Sequence, residues 1–148
     1  MAEIPVNLDL FAFEGRWQLD RLVTNAVGPD MTLTGWAEFR PHEGGLMLIE
    51  SGTLQVAGQP PMQGEQRYIW RQEGAEIATF FADERPFFRF TPTVSPTDHI
   101  AAAHWCSPDQ YDVVMEFAHW PDWQATWTVK GPRKDYVMRS NYRRAESI

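Results

Sequence analysis

The sequence contains a single cysteine, Cys106, among its 148 residues. One thiol excludes an internal disulfide and a zinc site built from several cysteines, and it is typical of a reducing compartment. The first residues lack the basic segment and apolar run of a signal peptide, and no apolar stretch approaches the roughly 20 residues that span a membrane. We therefore predict a cytoplasmic protein with no membrane span, folded as one domain over residues 1–148.

Basic residues are also scarce. The chain has 13 Lys and Arg against 20 Asp and Glu, which gives a formal net charge of −7. A nucleic-acid-binding protein normally presents a basic face, so we do not expect nucleic acid as a partner. Residues 130–148 hold six basic and two acidic side chains, a net charge of +4, and the remainder of the chain carries −11. This basic segment could form internal ion pairs, a solvated strand face or contacts with an anionic ligand.

Aromatic residues, in contrast, are abundant. Seven Trp, nine Phe and four Tyr make up 14% of the chain. Aromatic rings fill large volumes and favour strands. This composition is typical of a barrel with a wide interior or of an aromatic-lined pocket.

Alternating side chains indicate strands along most of the chain. In segment 111–117, Tyr111, Val113, Met115 and Phe117 share one face, and segments 123–129 and 136–142 repeat this period of two. Less regular patterns predict seven earlier strands: Arg16–Val23, Thr34–Arg40, Leu46–Val56, Gln63–Gln72, Glu76–Ala82, Phe87–Thr91 and Ile100–Cys106. Only Asn7–Phe13 is predicted to be helical, over a turn or two.

Short gaps rich in Gly, Pro and Asp separate the predicted strands, as expected for turns. About ten strands joined in this way form an antiparallel meander, and closing the meander removes its exposed edges. The predicted fold is therefore all-β: an up-and-down antiparallel barrel of about ten strands with a short N-terminal helix. We favour it over a sandwich.

Gly15-Arg16-Trp17 opens the first long strand, just after the helical turn. This resembles the G-x-W signature of the calycins, the superfamily of the lipocalins and fatty-acid-binding proteins. The resemblance implies a calycin-like barrel in which Trp17 closes one end and a basic residue of the last strand packs over it. Arg139, Arg143 and Arg144 are the candidates for that residue, and Arg143 is our working assignment.

Six short motifs follow one another along nearly the whole chain: G-R-W-x-L-x-R, G-x-A-x-F, E-x-G, R-Y-x-W, H-x-C-x-x-D-x-Y and G-P-R-K-D-Y. In this order they resemble the bacterial family called domain of unknown function 6314. The last motif, at residues 131–136, is the most specific of them. The resemblance implies a lipocalin-like fold and supplies no catalytic residues.

Polar residues inside the barrel are the candidates for ligand binding. Arg21 shares a face with Trp17 and Leu19, which would turn its guanidinium inward. A buried arginine must be paired, either with an acidic residue or with a ligand carboxylate or phosphate. Glu50, Asp83 and Asp135 are the possible protein partners. The tentative ligand-binding residues are Arg21, Arg67, Tyr68, Trp70, His104, Tyr111, Trp127 and Tyr136.

His104 and Cys106 are two residues apart on a predicted strand, so they face the same side with Cβ atoms roughly 6.5–7 Å apart. That separation is too long for a direct hydrogen bond between a nucleophile and its base. A zinc ion would need a further ligand that the spacing does not indicate. We predict no metal and no cofactor, and we take Cys106 as a buried small apolar residue. His104 is either structural or part of the pocket.

The sequence supports three functional hypotheses. The first is a carrier that binds a small hydrophobic or amphipathic ligand, which could be anionic, in the barrel. The second is a small-molecule enzyme that uses His104, Tyr68, Tyr111 or Asp83 near an interior arginine as acid–base groups. The third is a protein-interaction or homodimeric module, for which exposed tryptophans (Trp36, Trp105 or Trp120) would be the sign.

Overall fold

The computed structural model describes residues 6–97 and 99–145, and most of them lie in strands. Ten of the strands form one antiparallel sheet. In chain order all the strands are β1 (Val6–Asn7), β2 (Gly15–Asn25), β3 (Met31–His42), β4 (Gly45–Val56), β5 (Met62–Glu73), β6 (Glu76–Phe81), β7 (Pro86–Phe90), β8 (Thr93–Val94), β9 (Ile100–Cys106), β10 (Asp109–Glu116), β11 (Trp123–Lys130) and β12 (Asp135–Arg144).

The sheet order is β7-β6-β5-β4-β3-β2-β12-β11-β10-β9, so every neighbour is consecutive in the chain except β2 and β12. The two edge strands, β7 and β9, lie against each other, although no ladder joins them in the described part of the chain. This arrangement confirms the predicted all-β, up-and-down barrel of ten strands and shows that it is nearly closed. β1 and β8 form a separate two-stranded ribbon in which Val6 pairs with Val94.

Alternation along the strands places the core inside the barrel. On β2, Trp17 and Leu19 are buried, whereas Gln18 and Asp20 between them are exposed. β10 follows the same rule, with Val113 and Met115 almost fully buried. Because antiparallel partners share a face, each inward residue meets an inward residue of the next strand.

The predicted N-terminal helix is not an α-helix. Leu10–Phe13 forms one turn of 3₁₀ helix, and Asn7 belongs to β1. The side chain of Asp9 accepts a hydrogen bond of 2.8 Å from the backbone N–H of Phe11 and so caps the turn. Leu10 and Phe13 are fully buried and cover one end of the barrel. Side chains three positions apart eclipse each other in a 3₁₀ helix, so this single turn directs both residues to the same side.

The tryptophan of the G-x-W motif lies at this closed end. Trp17 is fully buried, and its indole N–H donates to the carbonyl of Phe13 over 2.9 Å. The guanidinium of Arg144 lies 3.9 Å from the ring centroid, a cation–π arrangement, and donates to the carbonyls of Ala12 and Glu14 over 2.6 and 2.8 Å. These bonds join the last strand to the segment before the first long strand.

Arg143 was therefore the wrong choice for the residue over Trp17. Arg144 is the direct cross-strand partner of Trp17, so their side chains share the inner face. Arg143 points outward, where its guanidinium lies 3.5 Å from the carboxylate of Asp20. Gly15 begins the strand with a φ of 121°, a conformation that favours glycine, and a Cβ there would lie 3.2 Å from Nη1 of Arg144.

In the described ranges, no helix has the length and the apolar character that crossing a membrane requires.

Candidate functional site

The barrel encloses a cavity of about 420 Å³. It extends from the aromatic core at the closed end towards the opposite end, where Thr32, Glu65 and Gln66 form an exposed rim. Most of its wall is apolar, and the large side chains in that wall are Leu48, Trp70, Phe87, Phe88, Trp123 and Trp127. Such a volume and lining are typical of a small-molecule site.

Four polar side chains, Arg21, Glu50, Ser140 and Tyr142, form what we call the polar cluster. The Arg21 guanidinium lies 2.9 Å from the Glu50 carboxylate, and its Nε donates to the Ser140 hydroxyl over 2.7 Å. A longer bond of 3.3 Å runs from Arg21 to the Tyr142 hydroxyl, which itself donates to Glu50. Ser140 is the cross-strand partner of Arg21, so the strand register brings these two together.

The polar cluster is buried and electrically balanced. The side chains of Arg21 and Glu50 are 13% and 6% exposed. Burial by itself lowers the pKa of Arg21, but Glu50, through its charge and its hydrogen bond, together with Tyr142 and Tyr68, outweighs that effect and holds the pKa above its usual value. Burial, together with the negative charge of Glu50, also raises the pKa of Tyr142 well above its usual value. Arg21 is therefore charged and Tyr142 is a neutral donor.

Tyr68 adds a free hydroxyl to the cavity wall. Burial, followed by the charge of Glu50, raises the pKa of Tyr68 to about 12, so the phenol is neutral at physiological pH. Its hydroxyl has no hydrogen-bond partner among the residues that the structure describes. Tyr68 can therefore donate a hydrogen bond to a molecule in the cavity.

Trp123 supports the polar cluster from the side. Its ring stacks on Tyr142 with centroids 3.8 Å apart and an interplanar angle of 5°. This stacking fixes the plane of the phenol and hence the direction of its hydroxyl. The buried indole N–H of Trp123 finds no hydrogen-bond partner within the described residues.

A second polar group lies at the open end. Lys134 donates to the hydroxyl of Tyr111 over 2.8 Å and lies 3.1 Å from the carboxylate of Asp109. The hydrogen bonds to Tyr111 and then to Asp109 raise the pKa of Lys134, so this side chain is charged. Tyr136 lines the cavity nearby, and burial raises the pKa of its phenol.

The structure brings together six of the eight predicted ligand-binding residues. These six residues line the same cavity: Arg21, Tyr68, Trp70, Tyr111, Trp127 and Tyr136. His104 lies behind this wall, half-buried, with its ring edge-on to Phe87 at 5.2 Å. Phe87 in turn stacks on Trp127 at 5.2 Å. His104 thus packs against the aromatic wall. Cys106 is exposed at the end of the edge strand β9, so the prediction that it is buried was wrong.

Arg67 lies outside the cavity. It alternates with Tyr68, which faces inward, so its side chain points to solvent and pairs with Glu65 at 3.2 Å. The partner of Arg21 is Glu50, whereas Asp83 binds Arg85 at 2.7 Å in an exposed turn. Ser140 and Tyr142 share a face with Tyr136 in the sequence pattern, but they were not predicted to belong to the site. That shared face was the feature of the sequence that could have indicated both residues.

Histidine, cysteine and acidic side chains do not gather into a possible metal site: no group of three or more occurs in residues 6–97 and 99–145.

The closed end and the interior cavity define a calycin-like barrel. Its tryptophan plug and the arginine of the last strand occupy the positions that this class implies. The chain belongs to the family of unknown function DUF6314, whose model matches residues 13–144. No curated protein matches the sequence.

One solved structure with a similar fold is the S-type phycobiliprotein lyase CPES from Guillardia theta. The TM-score is 0.61 with 9% sequence identity, and the match covers 91% of this chain and 89% of that chain. At such low identity the likeness concerns the fold and does not extend to the activity.

Proposed function

We propose that the barrel binds a small, largely apolar molecule in its cavity and holds the polar end of that molecule at the polar cluster. The observation that carries this proposal is the cavity of about 420 Å³, which falls within the usual 300–1,000 Å³ range of ligand pockets. A barrel of this size could have filled its interior with side chains. Here the interior instead leaves room beside donors that have no partner among the described residues.

The apolar wall would bind the apolar body of the ligand, and the polar cluster would bind its polar end. Trp70, Trp127 and Phe88 offer flat apolar surface, whose burial against a ligand contributes roughly 25 cal/mol per Å². Tyr68 and Arg21 would orient the polar end by hydrogen bonds. A ligand with both an apolar body and one polar group satisfies both parts of the site.

Native mass spectrometry of freshly purified protein tests this proposal. The expected result is a species heavier than the chain by the mass of one small molecule. Ala125→Phe would fill the cavity, since Ala125 lines it and is 4% exposed, and should abolish the extra mass. Thr126→Phe introduces the same side chain at the next position, which alternates to the outer face, and should retain the extra mass. Protein without bound ligand, together with equal binding of added apolar compounds by both variants, would contradict the proposal.

An enzyme in the same barrel is the second candidate function. The observation that favours it is a phenol and a carboxylate, Tyr142 and Glu50, within hydrogen-bond reach of each other on the cavity wall. Among the acid–base groups proposed from the sequence, Tyr68 and Tyr111 line the cavity, His104 stands behind its wall, and Asp83 is remote.

The mass of the small molecule bound to the wild type, compared with that bound to Tyr142→Phe, distinguishes an enzyme from a carrier. An enzyme that uses Tyr142 should carry product in the wild type and unconverted substrate in Tyr142→Phe, so the two bound masses should differ. A carrier should carry the same molecule in both proteins.

The homodimeric module stays a prediction. Of the three tryptophans that would mark such a surface, Trp105 is 62% exposed. Trp36 is covered by the guanidinium of Arg16 at 3.5 Å from the ring centroid, and Trp120 packs on Phe13 with centroids 5.0 Å apart.

A further inference from the structure

The charges along the cavity are balanced in pairs. Three charged residues line it: Arg21, Glu50 and, at the exposed rim, Glu65. Arg21 is matched by Glu50 at 2.9 Å, and Glu65 at the rim is matched by Arg67 at 3.2 Å. Arg21 is thus the sole cation among the described lining residues, and its charge is already neutralised.

The open end has the same balance. Lys134, the cation next to Tyr111, lies 3.1 Å from Asp109. An anion that entered the cavity would therefore pass a neutralised lysine at the mouth and reach a neutralised arginine inside. It would also approach the buried carboxylate of Glu50, and like charges at short distance in a buried site repel strongly.

Hydrogen-bond donors nevertheless remain available. Arg21 uses Nε and Nη2 for Ser140, Glu50 and Tyr142, which leaves Nη1 without an acceptor among the described residues. The Tyr68 hydroxyl is likewise free in that part of the chain, and both side chains line the cavity. The site thus offers two donors in a setting with no net charge.

We propose that this cavity selects uncharged amphipathic ligands whose polar end is an oxygen acceptor, such as an amide or other carbonyl group, and discriminates against carboxylates. This inference rests on the proposed ligand-binding function and specifies its ligand class. It decides between the two partners that the sequence left open for Arg21: the protein supplies the anion, as Glu50, and the ligand supplies a neutral acceptor.

A matched pair of probes tests the selectivity. Decanamide and decanoate have the same alkyl chain and differ in the charge of the polar end, because a carboxylic acid is ionised at neutral pH. Trp70, Trp123 and Trp127 line the cavity, so quenching or shift of tryptophan fluorescence reports binding of either compound. We expect decanamide to bind at least about tenfold more tightly than decanoate. Equal or tighter binding of decanoate overturns the inference while leaving the ligand-binding function intact, whereas binding of neither compound contradicts the function itself.

Two variants test whether the Glu50 carboxylate causes the selectivity. Glu50→Gln removes the carboxylate beside Arg21 with little change of volume and should reverse the preference, so that decanoate binds more tightly than decanamide. Glu65→Gln makes the identical change at the rim, where the side chain is 53% exposed, and should leave the wild-type preference unchanged. A preference that stays the same in a folded Glu50→Gln protein overturns the inference. If Glu50→Gln does not fold, the binding of decanamide and decanoate by the wild type is sufficient to test the inference.

Discussion

The hydroxyl of Tyr142 on β12 donates a hydrogen bond to the carboxylate of Glu50 on β4, across the interior of the barrel and 92 positions away in the sequence. Arg21 on β2 binds the same carboxylate at 2.9 Å. Three strands are thus joined by one buried acidic group. A buried ion pair adds less stability than its geometry implies, because both charges lose their hydration, but removing one partner leaves the other charge unpaired.

Glu50→Ala should therefore destabilise the protein strongly. It leaves the Arg21 guanidinium buried without its anion, and we expect a loss of about 3–5 kcal/mol in the free energy of unfolding. Glu65→Ala removes the acid of an exposed pair and should cost less than about 1 kcal/mol. Urea denaturation followed by circular dichroism measures both. Similar losses for the two variants would mean that the interior pair is hydrated.

Tyr142→Phe isolates the contribution of one hydroxyl. The ring keeps its stacking on Trp123, but Glu50 loses a donor, so we expect a loss of about 1–3 kcal/mol. Tyr136→Phe is the matched control on the same strand, because the hydroxyl of Tyr136 makes no hydrogen bond to any described residue. It should change the stability by less than about 0.5 kcal/mol. Equal effects of the two substitutions would remove the special role of the Tyr142 hydroxyl.

Arg144→Ala should open the closed end of the barrel. The substitution removes the cation over Trp17 and two hydrogen bonds to the backbone, and we expect a loss of about 2–4 kcal/mol. Arg143→Ala removes an exposed pair with Asp20 at 3.5 Å and should have an effect within about 0.5 kcal/mol. Thermal unfolding of the two variants compares them directly. The reverse order of stabilities would restore Arg143 as the residue over Trp17.

Alkaline pH should destabilise the fold through Tyr68. Its pKa is about 12 in the folded protein, above the value near 10 of an exposed tyrosine, so between these values the folded state holds its proton more tightly than the unfolded state. The stability due to Tyr68 is fully present below about pH 10 and is lost as the pH rises towards about 12. Urea denaturation over this range should show a shallower fall of stability in Tyr68→Phe than in the wild type. Parallel curves would contradict the burial of this phenol.

The sequence predicted the barrel well because a half-buried strand repeats every two residues. In β10, Val113 and Met115 alternate with Asp112, Val114 and Glu116. Two of these three neighbours are charged, so the pattern favours the inward direction of Val113 and Met115. β5 is different, since Arg67-Tyr68-Ile69-Trp70 places apolar side chains on both faces. The pattern there does not distinguish the inner face from the outer one, and Arg67 was consequently assigned to the cavity. The paired register of β4 and β5 decides it.

The partners within the site depend on contacts between distant parts of the chain. Glu50, Asp83 and Asp135 were equivalent candidates for pairing with Arg21, because nothing local to them indicates which one faces the arginine. Arg143 and Arg144 are neighbours, so a shift of one residue in the register of β12 would exchange their roles. Identifying these partners requires the register of the strands in three dimensions. The number of strands and the aromatic content of the interior can be predicted without it.

Methionine methyl groups report directly whether a small uncharged molecule binds inside the barrel. Met31, Met115 and Met138 line the cavity, whereas Met47 alternates to the outer face of β4 between the inward residues Leu46 and Leu48. NMR spectra of protein labelled with ¹³C in its methionine methyl groups, recorded while decanamide is added, should show large shifts for the three cavity signals and little change for Met47. Shifts of Met47 with unchanged signals from Met115 and Met138 would contradict binding inside the barrel.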